Sequence, residues 1–210
     1  MPVSARLALK IMLVALAVSV GSQASAAGDA GRGKELAYTC LGCHGIENYK
    51  NVYPTYSVPE LGGQHASYIV AALKEYRSGE RSHATMHEQA QSLSDQDIED
   101  IAAYFAGPEL KAGTSLNGTP PQKVQQLCVA CHGTNGIGVT SDYPDLAGQQ
   151  ADYIARALHE YKQGDRKNAV MPTFVAGLKD DEIDEIAKYY SQQRPPLEVV
   201  HRRVSIFESK

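Results

Sequence analysis

Apolar residues recur with the period of an α-helix at two places in each half of the chain. The stretch from Tyr68 to Tyr76 carries one apolar stripe, and the stretch from Tyr153 to Tyr161 repeats it. A second amphipathic stretch follows in each half, and Ser94 with Asp97 forms a capping box that opens the first of these. The buried positions of these second stretches are Ile98, Ile101, Ala102 and Phe105, and Ile183, Ile186, Ala187 and Tyr190. No alternating apolar run indicates a strand, so the predicted fold class is all-α.

The two halves are an internal duplication. Residues 61–104 align on residues 146–189 with 20 identities in 44 positions and without a gap. The repeat predicts two tandem domains of three to five short helices each, at residues 27–110 and 121–193, joined by the glycine- and proline-rich linker 111–120. The chain has few aliphatic residues per domain and no tryptophan. We therefore expect another group to fill the centre of each domain.

Residues 1–26 have the organisation of a secretory signal peptide. Arg6 and Lys10 precede an apolar run, Ile11 to Val20, and small residues ending at Ala26 follow it. The run of ten residues is too short to cross a bilayer. A retained N-terminal anchor is the alternative interpretation. Cleavage predicts export to the periplasm, which is an oxidising compartment, and a soluble mature chain.

Composition narrows the possible partners. The chain is 43% apolar and 21% charged, which is typical of a globular protein. Its formal net charge is -4 and its pI is about 6.0, so no basic face for nucleic acid is expected. Residues 194–210 lie outside the repeat, and nothing is predicted for them beyond a partly basic tail with Arg202 and Arg203.

All four cysteines lie in two Cys-x-x-Cys-His motifs, one in each repeat. The motif residues are Cys40, Cys43 and His44, and Cys128, Cys131 and His132. A structural zinc site needs four ligands around one metal, whereas each pair here stands beside its own histidine. A thioredoxin-like redox pair needs a strand followed by a helix, which the pattern lacks. The motif is the attachment signal of haem c, so we predict two covalently bound haems, with each histidine as a ligand of its iron.

Met86 and Met171 are the methionines outside the leader, and they occupy equivalent positions in the repeat. A thioether is a common sixth ligand of haem iron, so both are predicted axial ligands, with core packing as the alternative. His83 and His87 flank Met86 and compete for the same iron, although the second copy has no histidine at either position. The histidines expected on the solvated surface are His65, His83, His87 and His159.

Two further pairs of matched residues suit a haem pocket. Pro59 and Pro144 lie between motif and helix, where a proline carbonyl can accept the second ring proton of the ligand histidine. A turn-forming role explains these prolines equally well. Arg81 and Arg166 each precede a predicted methionine ligand by five residues. Each arginine could pair with a haem propionate or lie in solvent, and the sequence supports the two roles equally.

Both Cys-x-x-Cys-His motifs, the Pro-x-Leu and Gln-x-x-x-Tyr segments, the loop methionine and the last helix together resemble cytochrome c4, the exported dihaem group of class I cytochromes c. The resemblance covers roughly residues 28–193. It implies tandem class I cytochrome c domains that transfer single electrons and are not enzymes. Gly33, where the first and last helices of such domains touch, has Pro121 as its counterpart, which is a departure in the second domain.

The resemblance also implies partners. These are redox proteins of the respiratory chain, a terminal oxidase or a quinol–cytochrome c reductase, through which the protein is loosely associated with the membrane. A dihaem subunit of a larger dehydrogenase, such as a flavocytochrome c sulfide dehydrogenase, has similar motifs and stays the alternative function.

Overall fold

The structure is a computed structural model. It describes residues 28–52, 55–106, 110 and 116–201. The predicted signal peptide lies outside these residues, as do residues 111–115 of the predicted linker and 202–210 of the tail.

Each half of the chain forms its own group of helices. The first group comprises α1 (Ala30–Leu36), α2 (Leu41–His44), α3 (Ala66–Ser78), α4 (Ala84–Ala90) and α5 (Asp95–Ala106). The second group opens with a π-helical turn, Val124–Cys128, followed by α6 (Val129–His132), α7 (Ala151–Gln163), α8 (Met171–Val175) and α9 (Asp180–Ser191). The described part of the chain contains isolated β-bridges but no strand, and the all-α prediction is confirmed. None of the helices in this part has the length and apolarity needed to span a bilayer.

The helix ends follow local sequence signals. Ser94 and Asp97 form the predicted capping box, in which the Ser94 N–H donates to Asp97 Oδ2 at 2.9 Å and the Asp97 N–H donates to Ser94 Oγ at 3.1 Å. Helices α3 and α7 end at Gly79 and Gly164, with φ of +81° and +85°. This left-handed conformation favours glycine, so the repeat keeps the residue at both ends.

Each group of helices has its own hydrophobic core. The predicted inward faces of α5 and α9 are at most 2% exposed in every member: Ile98, Ile101, Ala102 and Phe105, and Ile183, Ile186, Ala187 and Tyr190. The residues of the apolar stripes on α3 and α7 have two different roles. Ile69 and Leu73, with Ile154 and Leu158, join the cores. Tyr68 and Tyr153 instead line cavities.

Gly33 is the point where α1 crosses α5. A Cβ atom at this position would lie 1.9 Å from the Asp100 carbonyl oxygen, so any other residue would force the helices apart. Arg32 then forms ion pairs with Asp97 and Asp100 on α5. In the second domain, where Pro121 is the counterpart of Gly33, Val124 opens the π-helical turn and is fully buried in the hydrophobic core that also contains residues of α9.

Equivalent residues of the repeat face each other where the two domains meet. The Ser82 N–H donates to the Asp165 carbonyl at 3.1 Å, and the Lys167 N–H donates to the Glu80 carbonyl at 2.9 Å. Ser82 is the repeat equivalent of Lys167, and Glu80 is the equivalent of Asp165. The domains are therefore related by an approximate two-fold axis, as in an isologous dimer.

The segment after α9 contacts both domains. Gly62 and Glu198 exchange two backbone hydrogen bonds, of 2.8 and 3.0 Å, and the Leu197 N–H donates to the Ala147 carbonyl at 2.7 Å. Gly62 and Ala147 are equivalent positions of the repeat. The part of the tail for which the sequence offered no role thus joins the two domains at matched points.

The close approach at Gly33 generates a stability prediction. Gly33→Ala inserts a methyl group against the α5 backbone, so we expect the free energy of unfolding of the holoprotein to fall by about 3 kcal/mol. Gly31→Ala in the same helix is the matched control, because its methyl group meets only the Asp29 side chain at 3.1 Å. We expect the control to be neutral or slightly stabilising, by up to ~1 kcal/mol. Denaturant titrations followed by circular dichroism measure both, and equal midpoints would contradict the close packing.

Candidate functional site

A cavity lies beside the Cys-x-x-Cys-His motif of each domain. The first cavity, of about 100 Å³, is lined by Cys40, Cys43, His44 and Met86. The second cavity, of about 320 Å³, is lined by Cys128, Cys131, His132 and Met171. The structure thus brings the predicted site residues together in two sets of four. The second cavity extends to the domain interface, where residues of the first domain also line it.

The motifs lie on the short helices α2 and α6. Cys40 precedes α2 and Cys43 lies within it, so the two thiols face the same side at a spacing of three residues. His44 is the last residue of this helix, and His132 ends α6 in the same way. The two thiol pairs belong to separate domains, and the described residues contain no cluster of three or more metal-binding side chains. This arrangement does not fit the alternative of a four-ligand structural zinc site.

Both motif histidines bond to a proline carbonyl, which is one of the two roles that the sequence left open for these prolines. His44 Nδ1 lies 2.9 Å from the Pro59 oxygen, and His132 Nδ1 lies 3.0 Å from the Pro144 oxygen. Because a carbonyl oxygen only accepts, Nδ1 carries the proton in both rings and Nε2 keeps its lone pair. Burial lowers the pKa of both imidazoles, which favours the neutral form that a metal binds.

Both methionines lie in the first turn of a short helix: Met86 is the third residue of α4, and Met171 is the first residue of α8. The Met86 N–H donates to His83 Nδ1 at 3.2 Å, and the Met171 N–H donates to Asn168 Oδ1 at 2.9 Å. His83 and Asn168 are equivalent positions of the repeat, so a different side chain makes the same capping bond. His83 is therefore half-buried and bonded to the chain, not a solvated surface histidine.

The surface prediction is also wrong for His65. This side chain is 8% exposed, and its Nε2 lies 3.4 Å from Asp145 Oδ1 of the other domain. The helical pattern predicted a solvent-exposed position for His65, because the sequence pattern of one domain does not show which of its residues the other domain covers. His87 is half-buried, with Nδ1 2.8 Å from the Tyr76 carbonyl. His159 is half-buried as well.

Arg81 and Arg166 lie side by side in the interior of the domain interface. They are 5% and 3% exposed, which excludes the solvated alternative. Tyr68 accepts from Arg166 Nη2 at 2.8 Å and from Arg81 Nη2 at 3.5 Å. Although burial disfavours the phenolate, the two guanidinium charges lower the pKa of Tyr68 to about 8. Arg166 Nε is buried without a hydrogen-bond partner at the edge of the second cavity.

Two glutamines that the sequence analysis did not place at the site connect the domains. Gln64 donates through Nε2 to the Asp145 carbonyl, and its Oε1 accepts from the Asp145 N–H, both at 2.9 Å. Gln149 makes the same pair of bonds with Glu60, again at 2.9 Å. Both glutamines were visible as identical positions of the repeat, but sequence gives no signal for a partner in the other domain.

These residues fit a covalently bound haem in each domain. The cavity walls are largely apolar, with two thiols, an imidazole whose Nε2 is free, and a thioether facing each cavity. The unpartnered Nε of Arg166 needs a hydrogen-bond acceptor, and a propionate carboxylate of haem would be a suitable one. The zinc and disulfide-exchange alternatives explain neither the cavities nor the buried arginines.

Comparisons with known proteins agree with this geometry. A sequence profile of the family named Cytochrome c matches residues 30–107 and 122–193, one match for each repeat. The chain is 32% identical to cytochrome c4 of Pseudomonas aeruginosa over 196 residues, which cover 85% of this chain and 96% of that protein. It is 31% identical to the thiosulfate dehydrogenase electron acceptor of Stutzerimonas stutzeri over 179 residues, which cover 77% and 82% of the two chains.

A solved structure is similar over both domains. The crystal structure of reduced recombinant cytochrome c4 from Pseudomonas stutzeri superposes with a TM-score of 0.65 and 28% identity. The match covers 80% of this chain and 100% of that one. Both the number of domains and their arrangement in the chain are therefore shared with a dihaem cytochrome.

Proposed function

The chain belongs to the cytochrome c family, and from this membership we propose that it carries single electrons between redox proteins of the respiratory chain in the periplasm. The chain is a dihaem, cytochrome c4-like electron-transfer protein with two covalently bound haem c groups. A haem c iron supplies a one-electron Fe(III)/Fe(II) couple.

The proposal assigns matched roles to the eight residues around the cavities. Cys40 and Cys43 hold the first haem and Cys128 and Cys131 hold the second. His44 and Met86 would bind the iron of the first haem, and His132 and Met171 would bind that of the second. The observation that carries this assignment is the agreement of the two cavities, each of which is lined by two cysteines, a histidine and a methionine and has the same imidazole–proline bond.

The remaining residues of the site suit electron transfer better than catalysis. Both methionines lie in the first turn of a helix, where a side chain three residues earlier accepts from the backbone N–H of the methionine. The proline carbonyls hold each imidazole in one tautomer and one orientation. A haem iron bound by both an imidazole and a thioether would have no coordination position open to a substrate.

We also propose a compartment and redox partners for the protein. The signal-like pattern of residues 1–26 supports export to the periplasm. Similarity to cytochromes c4 supports protein partners of the respiratory chain, for which we propose a terminal oxidase or a quinol–cytochrome c reductase. The protein would then be loosely associated with the membrane through these partners.

A second candidate function rests on a specific similarity. A relative of this chain is named thiosulfate dehydrogenase electron acceptor, and the match covers 82% of that protein. The chain under this alternative receives electrons as a dihaem partner of a dehydrogenase that oxidises a sulfur compound. The motifs are the same for both functions, so the redox partner distinguishes them.

The assignment of the cysteines predicts the mass of the protein. Two haem increments over the processed chain should remain after denaturation and acid–acetone extraction, because the haems are bound covalently. Replacing Cys40 and Cys43 by alanine should remove one increment, and the matched change at Cys128 and Cys131 should remove the other. Intact-mass spectrometry measures all three proteins. A wild-type protein with fewer than two increments would refute the assignment.

The assignment of the methionines is tested by Met86→Ala and Met171→Ala, each serving as the control for the other. Each change should remove half of the near-infrared sulfur-to-iron charge-transfer band of the oxidised protein. It should also lower the reduction potential of one haem, because thioether ligation raises the potential. If a variant kept the full band and both potentials, that methionine would not be a ligand.

The partner is tested with the reduced holoprotein and washed membranes of the source organism. A carrier that delivers electrons to a terminal oxidase should be reoxidised by the membranes in air, and cyanide should abolish the reaction. The variant in which Cys128 and Cys131 are replaced by alanine shows whether the reaction requires both haems. Reduction by a thiosulfate-oxidising soluble fraction, with no reoxidation by membranes, would favour the dehydrogenase alternative.

A further inference from the structure

One peptide group in each domain bonds to both the ligand histidine and the opposite domain. The Pro59 carbonyl accepts from His44 Nδ1 at 2.9 Å. The N–H of the same peptide group, which belongs to Glu60, donates to Gln149 Oε1 at 2.9 Å. The amide orientation of Gln149 is fixed, because a backbone N–H can only donate and the Gln149 Nε2 donates to the Glu60 carbonyl.

The second domain has the same connection in the opposite direction. The Pro144 carbonyl accepts from His132 Nδ1 at 3.0 Å, and the Asp145 N–H of that peptide group donates to Gln64 Oε1 at 2.9 Å. Each imidazole is thus linked through one peptide group to a glutamine of the other domain. The interface therefore contains two such connections, which are related to each other by the approximate two-fold axis.

Both connections are shielded from water. Gln64 and Gln149 are 3% and 4% exposed, so their bonds form in a medium of low dielectric constant. Hydrogen bonds in series polarise one another, by roughly 10–30% for each bond. An acceptor on the peptide N–H therefore makes the carbonyl at the other end of the peptide a stronger acceptor for the imidazole proton. A stronger bond at Nδ1 makes the imidazole a better electron donor at Nε2.

We infer that Gln64 and Gln149 are positioning residues that tune the reduction potential of the opposite domain: Gln149 acts on the first-domain iron through Pro59 and His44, and Gln64 acts on the second-domain iron through Pro144 and His132. The inference rests on the proposed ligation by both histidines. Each glutamine favours the ferric state across the interface, because a more electron-donating imidazole stabilises Fe(III). The potential of each iron therefore depends on correct docking of the other domain.

A direct effect of polarity predicts a different pattern. Both glutamines line the second cavity, so the loss of either amide dipole would act mainly on the second-domain iron. A loosened interface would act on both irons together. Transmission through the peptide groups instead predicts a crossed pattern, in which each glutamine affects the iron of the domain to which it does not belong.

The test uses Gln149→Leu and Gln64→Leu in the holoprotein, with Gln149→Met and Gln64→Met as milder variants that keep an unbranched side chain. Ser57→Ala is the matched control, because the Ser57 hydroxyl donates across the same interface to Asp152 Oδ2 at 3.0 Å but bonds to no proline–histidine pair. Two quantities are measured by NMR with resonances assigned by domain. One is the shift of each histidine Nδ1–H in the reduced protein, and the other is each haem's potential in a redox titration.

The expected result is crossed. Gln149→Leu should move the His44 Nδ1–H resonance towards that of a weaker hydrogen bond and leave that of His132 in place. It should raise the ferrous-to-ferric ratio of the first-domain iron on the order of threefold at a fixed potential, or ~28 mV at ~59 mV per tenfold change. Gln64→Leu should do the same to His132 and the second-domain iron, and Ser57→Ala should change neither.

Other outcomes overturn the inference in distinguishable ways. Shifts at the second-domain iron for both glutamines would show a direct polarity effect, and equal shifts of both irons in every variant would show a loosened interface. Unchanged Nδ1–H resonances would show that the peptide group transmits nothing. A wild-type protein without two Nδ1–H resonances and the full charge-transfer band would refute the proposed ligation itself, and the inference with it.

Discussion

The arrangement of this molecule depends on two buried peptide groups, each of which bonds to its own domain through the carbonyl and to the other domain through the N–H. The carbonyls of Pro59 and Pro144 accept from the motif histidines, and the N–H groups of the same peptides point at the other domain. A buried N–H without an acceptor costs about 1–3 kcal/mol. The glutamine from the opposite domain removes this cost at both sites. The domains are thus held in one relative orientation by the same peptides that orient the ligands.

Duplication explains why one interaction can be used twice. When an interface is built from equivalent residues of two repeats, as in an isologous dimer, one residue of the ancestral repeat provides the same favourable contact at two places. The later differences lie beside the shared contacts. Gln150 Nε2 donates to Glu60 Oε1 at 2.7 Å, whereas the equivalent pair places His65 Nε2 3.4 Å from Asp145 Oδ1. Burial raises the pKa of Glu60. The backbone scaffold is symmetric, and the charges around the two haem sites are not.

The sequence predicted the parts of this structure that local patterns determine. The motif spacing, the apolar stripes and the Ser94 capping box depend on neighbours within a few residues, and each is found where it was expected. The environment of His65 was predicted wrongly because it is determined by the other domain, 80 residues away in the chain. The roles of Gln64 and Gln149 were missed for the same reason. Their identity in both repeats showed that they matter, but identity does not reveal a partner.

Arg81 and Arg166 show how the interface and the haems depend on each other. Two guanidinium groups, each at most 5% exposed, are held beside one tyrosine hydroxyl between the two cavities. Arg81 is compensated by an ion pair with Glu75, whereas Arg166 keeps a buried Nε without a partner. A buried charge is tolerated in a protein only when anions and hydrogen bonds replace the water it has lost. Tyr68 accepts from Arg166, but no residue accepts from its Nε, and a propionate of a haem bound in the second cavity would supply that acceptor together with a negative charge. The haems would then contribute to the charge balance of the domain interface as well as to the redox chemistry.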